Sequence, residues 1–105
     1  MTVQILESAK SDLRDGRLFY ESQGGRWLGS YFFDTLFSAI DALAIYAGIH
    51  RRRYGFYWML VSHFPYSVYY DIEDGGVNVY AVVDNRRDPE WILRHLQAMG
   101  KGCRR

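Results

Sequence analysis

The stretch from Tyr66 to Asp84 constrains this chain more than any other. Tyr66, Val68, Tyr70 and Ile72 recur at every second position, with Ser67, Tyr69, Asp71 and Glu73 between them. That period of two is the pattern of a half-buried strand. Beyond Asp74-Gly75-Gly76, Val77, Val79, Ala81 and Val83 alternate with Asn78, Tyr80, Val82 and Asp84. A tight turn at Asp74-Gly75 or Gly75-Gly76 folds the two runs into a hairpin and places both apolar series on one face. Phe56 to His63 is also extended in character, and Pro65, which has no N–H to give to a ladder, ends it. The expectation is a three-stranded antiparallel meander whose apolar face needs a cover.

The cover is found upstream. Thr2 to Leu6 is a short candidate strand, and Ser8 is placed as a helix cap before Ala9, Leu13, Gly16 and Tyr20. Gly24-Gly25 stops this helix. A second helix is expected from Arg26 to Ala47, with Leu36, Ile40, Leu43 and Ala47 as its stripe, widened by Phe33, Phe37 and Ala44, before Gly48. At about 1.5 Å per residue it reaches roughly 30 Å, enough to cross a sheet. The short glycine link makes the two helices an antiparallel hairpin. Leu36, Ile40, Leu43, Tyr70, Val79 and Ala81 are expected to share one core. Trp27, Tyr31 and Phe32 are read as core aromatics, with a partner surface as the alternative. Gly48 to Gly55 reads as a loop. Past the last strand, Asp88 caps and Pro89 opens a short helix with Trp91, Ile92 and Leu96 facing inward.

The expected class is therefore α/β in the α+β sense: an antiparallel sheet of three to four strands, covered by an N-terminal helical hairpin, with a short C-terminal helix. Residues 1 to 99 form one domain and 100 to 105 a basic tail. With 105 residues, 49% of them hydrophobic and 17% aromatic, the chain can bury a single modest core and is not of disordered composition. Cys103 is the one cysteine, which excludes an internal disulfide and a cysteine metal cluster. His50, His63 and His95 have no metal-ligand spacing, so neither metal nor cofactor is expected. The charged amino terminus is unlike a secretory signal, and no stretch reads as a bilayer span, which points to the cytoplasm and away from a membrane partner.

Net charge is +1, yet the second half of the chain holds Arg51-Arg52-Arg53, Arg86-Arg87, Arg94 and Lys101. These are either solvated loop and terminus charges or a patch that attracts phosphate. Ser67, Tyr69, Asp71 and Glu73 face Asn78, Tyr80, Val82 and Asp84 on the outer side of the sheet. Tyr69 and Tyr80 are thus candidates for partner contact or base stacking.

Several segments carry a resemblance: Ala9 with Asp12-Leu13 and Phe19-Tyr20-Glu21, Phe64-Pro65-Tyr66 leading to Tyr69-Tyr70, and Val79-Tyr80-Ala81-Val82-Val83 followed by Arg86-Arg87-Asp88-Pro89. In this order and at these intervals the chain resembles the ParE/RelE toxin superfamily, over roughly residues 3 to 96, and is closer to its ParE-like, plasmid-stabilization branch. The resemblance implies the growth-inhibiting toxin of a bacterial type II toxin-antitoxin system. A cognate antitoxin neutralises it, and DNA gyrase is the implied target. The alternatives are a ribosome-dependent mRNA endoribonuclease of the RelE type, with the ribosome and mRNA as partners, and a non-toxic antitoxin-binding relative. Whether the chain is an enzyme stays open on these readings. Target or partner contacts fall to Arg86, Arg87, Tyr69, Tyr80, Arg51, Arg52 and Arg53. In a ribonuclease the reacting groups would be Arg86, Arg87 and His63.

The chain also departs from that pattern. Asp84 stands where relatives often have histidine, two residues before the arginine pair, and Tyr57-Trp58 stands where they often have arginine. RNA cleavage needs cations at the scissile phosphate and a group that moves a proton. His63, beside Phe64-Pro65, is a candidate for that group or a plain solvent-facing side chain. The departures weigh against the ribonuclease.

Overall fold

The computed structural model describes residues 1–98. Its elements are β1 (Thr2–Ile5), α1 (Glu7–Gly24), α2 (Arg26–Asp41), α3 (Leu43–Tyr46), β2 (Arg51–Arg53), β3 (Phe56–Leu60), β4 (Tyr66–Glu73), β5 (Gly76–Asp84) and α4 (Pro89–Gln97). The strands form one five-stranded sheet in the order β1-β5-β4-β3-β2. The helical hairpin covers one face and α4 the other. The tail assigned to 100 to 105, with Lys101 and Cys103, lies outside the described residues, as does Met99.

The β4–β5 hairpin forms as the alternation requires, and its turn is Asp74-Gly75, because Glu73 pairs with Gly76. Both turn residues have positive φ (53° and 76°), the backbone of a tight two-residue hairpin turn. Pairing is not uniform along the hairpin. Tyr70 faces Val79 but Tyr69 faces Ala81, which leaves Tyr80 as an extra, bulged residue. The bulge reverses the faces beyond it. Val77, Val79 and Val82 pack under the helical hairpin, whereas Tyr80, Ala81 and Val83 pack under α4. Ala81 therefore leaves the expected core set. Leu36, Ile40, Leu43, Tyr70 and Val79 do share one.

Two strands differ from expectation. β1 is real and runs parallel to β5, with Thr2 opposite Gly76 and Ile5 opposite Val79, so the sheet is mixed. Arg51–Arg53, expected in a loop, is a fifth strand, because Tyr54-Gly55, both at positive φ, turn it back onto β3. The arginine side chains suit an edge: Arg52 lies 4.7 Å from the Tyr57 ring centre and Arg53 4.6 Å from that of Trp58.

The helices differ in detail. The second helix ends at Asp41, and after a turn at Ala42 the chain makes only the one-turn α3. Phe32, Leu36, Ile40 and Leu43 are buried, but Phe37 is exposed on the flank. Arg26–Tyr46 is long and apolar enough by length and composition to cross a bilayer, against the expectation that no such stretch exists. Here its inner stripe instead forms one wall of the core. α1 and α2 approach closely at Gly16, where a Cβ would stand 2.5 Å from Cζ of Phe32. Phe32 anchors an aromatic cluster with Tyr20, Phe64 and Tyr66, ring centres 4.9 to 5.1 Å away.

Candidate functional site

β5 outruns its parallel neighbour, and a cleft is built where it does. β1 stops at Ile5, and the Leu6 N–H donates to the Val79 carbonyl as the strand edge passes to α1. Two α1 side chains four residues apart, hence on one helix face, then replace the missing strand. Ser8 Oγ donates to the Tyr80 carbonyl at 2.7 Å, and Asp12 Oδ2 accepts the Val82 N–H at 2.9 Å. Ser8 is thus not the helix cap expected of it; Leu6 occupies the cap position, with no side-chain hydrogen bond. The exposed backbone groups of β5 claim the hydroxyl instead, since a strand edge left unpaired at a covered site is costly.

Asp12 has a second engagement. His95 of α4 places Nε2 at 3.2 and 3.3 Å from its two oxygens. The hydrogen bond that His95 donates to Asp12 raises the affinity of the ring for its proton above the ordinary value, outweighing burial and the Arg87 charge, which act the other way. One turn earlier, the Trp91 ring stacks on His95 at 4.7 Å, and the Arg87 guanidinium lies 4.2 Å from the same ring. With Asp15, Gly16, Phe19, Tyr66 and Asp84, these groups line a polar cleft of about 300 Å³. The Tyr66 phenol stays protonated there, pushed up to about 12 by burial and then by the neighbouring Asp84 charge.

The residues expected to act fall in four places. Arg86 and Arg87 both follow β5, but only Arg87 lines the cleft. Arg86 gives Nε and Nη2 to the two oxygens of Asp84, at 3.0 and 2.8 Å, and its backbone N–H also donates to Oδ1. Burial alone would push the Asp84 carboxyl up, but these hydrogen bonds and the Arg86 and Arg87 charges bring it below its ordinary value. Arg86 therefore braces the strand-to-helix corner, while Arg87 faces the cleft. His63 is exposed in the β3–β4 connection at φ 75°, its ring 6.4 Å from Tyr31. The same connection is pinned to the corner by a 2.7 Å hydrogen bond from the Asn85 N–H to the Pro65 carbonyl.

Tyr69 and Tyr80 are not on an open face. They are 0% and 8% exposed beneath α4, packed with Phe56, Ile92 and Leu96, which corrects the expected outer groove. Arg51, Arg52 and Arg53 stand on β2, three strand spacings or about 14 Å across the sheet from β5. The two arginine groups do not merge into one patch. No cluster suited to a metal ion occurs among the described residues.

A second concavity runs along the helical hairpin. Ile5, Leu13, Phe33 and Phe37 make its apolar floor, and Lys10, Arg14 and Arg17 its rim, around about 420 Å³. The three cations recur at helical spacing along α1, and Phe33 and Phe37 stack with ring centres 6.1 Å apart. Sequence reasoning assigned Phe37 to the core. The signal that distinguishes the groove is the concentration of cations on the α1 face beside α2.

No protein-family model and no curated protein matches the sequence. Among solved structures, the chain is similar to one described as the chromosomal ParDE TA system from P. aeruginosa. The identity is 15%, the TM-score 0.75, and the match covers 80% of this chain and 95% of that one. The architecture is a ParE-like fold.

Proposed function

We propose that the chain is the toxin of a bacterial type II toxin-antitoxin pair, acting in the cytoplasm and held inactive by an antitoxin segment seated in the α1–α2 groove. The observation that carries this reading is the groove itself on a ParE-like scaffold: an apolar floor of Leu13, Phe33 and Phe37 with a rim of Lys10, Arg14 and Arg17. An amphipathic segment with apolar residues on one side and Asp or Glu on the other satisfies both. The structural neighbour comes from a toxin-antitoxin system, which supports the same pairing. Coexpression with the product of the adjacent open reading frame should yield a complex. Arg14→Glu with Phe37→Glu should weaken it at least tenfold in a titration, about 1.4 kcal/mol or more. Unchanged affinity in that double variant removes the groove from the interface.

DNA gyrase is the proposed target, on the ParE-like fold and on the resemblance of the Arg86-Arg87-Asp88-Pro89 corner. Arg87, with its side chain toward the cleft, is the better placed of the pair for a polar target surface; Arg86 is committed to Asp84. One observation favours a second reading, ribosome-dependent mRNA cleavage. The His95–Asp12 pair beside Arg87 sets a proton-transfer group next to a cation. Purified protein assayed in parallel for inhibition of gyrase supercoiling and for cleavage of translated mRNA separates the two. Cleavage with untouched gyrase sinks the first reading, and neither activity from a folded, antitoxin-binding chain makes it a non-toxic relative.

A further inference from the structure

We propose that α4 is a pH-sensitive cover over the aromatic face of the sheet, fastened by the His95–Asp12 contact and loosened as His95 loses its proton. The inference is independent of the toxin reading and goes beyond it.

The cover is slight and what it hides is large. α4 has nine residues and sets two fully buried side chains, Ile92 and Leu96, one turn apart, against Phe56, Tyr69, Tyr80, Ala81 and Val83. Its Arg94–Glu90 pair stays within the helix and is solvent-exposed. Among the described residues, its ionic tie to another element is His95–Asp12, at 3.2 Å between side chains that are 23% and 13% exposed. The anion in that tie is fixed. Asp12 belongs to the long α1, and its Oδ2 also holds the Val82 N–H, so it stays with the sheet when α4 moves.

A charged imidazole therefore meets a carboxylate that cannot follow it. A neutral ring still has an N–H to offer that carboxylate, but proton loss removes the cation, and with it the ion-pair attraction across the contact. The groups facing His95 set the direction. α1 contributes Asp12 and Asp15, β4 contributes Tyr66, β5 contributes Asp84, and the corner contributes Arg87. Asp84 is occupied by Arg86, and Arg87 opposes the histidine charge, so Asp12 is the group that retains the proton. Because the closed state binds that proton more tightly than an exposed histidine does, closure is fully supported below the ordinary histidine value of about 6.5. The support is lost as pH rises through the higher closed-state value.

The test is hydrogen exchange on the whole chain from about pH 5 to about pH 8.5, a range that brackets the ordinary histidine value, with protection corrected for intrinsic rates. Protection of the α4 amides should fall several-fold with rising pH while Val68 and Val79, in the sheet, hold theirs. In His95→Gln, which keeps an amide donor for Asp12 but has no proton to lose, α4 protection should be flat and near the wild-type high-pH level. A flat wild-type profile, the same slope in His95→Gln, or a parallel loss at Val68 and Val79 overturns the proposal. The His95 imidazole resonances of the wild type give a readout that needs no variant. A midpoint above the ordinary histidine value supports the latch, and one at or below it refutes the latch. No antitoxin, gyrase or ribosome enters the experiment, so its failure leaves the toxin reading where it stood.

Discussion

The two faces of the sheet are covered in opposite ways. On one, α1 and α2 bring Ala9, Leu13, Phe32, Leu36 and Ile40 onto Val68, Tyr70, Val77, Val79 and Val82, and an aromatic cluster closes the end. On the other, a single short helix rests Ile92 and Leu96 on a surface rich in Phe and Tyr. Burial per residue is similar at the centres of both, yet the first cover shares its load among many mutually packed side chains, and the second rests on Ile92 and Leu96 with Trp91 half-buried at the flank. Global stability should therefore reside on the hairpin side, and local opening on the α4 side.

Breaking the stronger face should cost most. Phe32→Ala is expected to lose about 3 to 5 kcal/mol in chemical denaturation, since a fully buried ring leaves a cavity among Tyr20, Phe64 and Tyr66. From the opposite direction, Gly16→Ala should lose about 1 to 3 kcal/mol by crowding Phe32, and Phe32→Leu should relieve part of that loss. Strictly additive effects in the double variant would mean that the two residues do not meet. Leu96→Ala on the thinner face should cost about 2 kcal/mol, at the low end for such a change, with exchange of α4 amides rising before any global transition. A single cooperative unfolding with no local phase would erase the asymmetry between the faces. Arg86→Ala should change stability least, by about 1 kcal/mol or less, because the guanidinium it removes is largely exposed. A loss several times larger would make the corner a structural keystone.

What could be read in the sequence follows from the range over which each signal acts. The β4–β5 hairpin, its glycine turn and the stripe Leu36-Ile40-Leu43 are written in spacings of two, three and four, and they fold as read. Tyr80 defeats that reading because a bulge adds a residue without altering the apolar run. Val82 and Ala81 are both apolar, so pattern alone cannot say which turns inward. The β2 strand is hidden by its own charge, since three arginines fit a loop as well as an edge. The cleft was least legible. Asp12 and His95 are 83 positions apart, and each is an ordinary polar residue on an amphipathic helix until the backbone joins them. Arg86 and Arg87 both follow the last strand, but only the fold divides them into a brace on Asp84 and a cation stacked on Trp91.

The pairing of the first strand with the last sets the order in which the molecule can come into being. Thr2–Ile5 finds its neighbour only in Gly76–Val79, so no part of a growing chain short of β5 offers it a partner. The helical hairpin likewise rests on Val77, Val79 and Val82, which are made late. Contacts this distant in sequence carry the full cost of closing the intervening loop before they return anything. A nascent chain emerging from the ribosome therefore holds helices without a sheet to lie on, and the cleft, which needs β5 and α4 together, is among the last features to exist. The helices wait for their sheet: the cleft cannot exist until β5 and α4 have both been made.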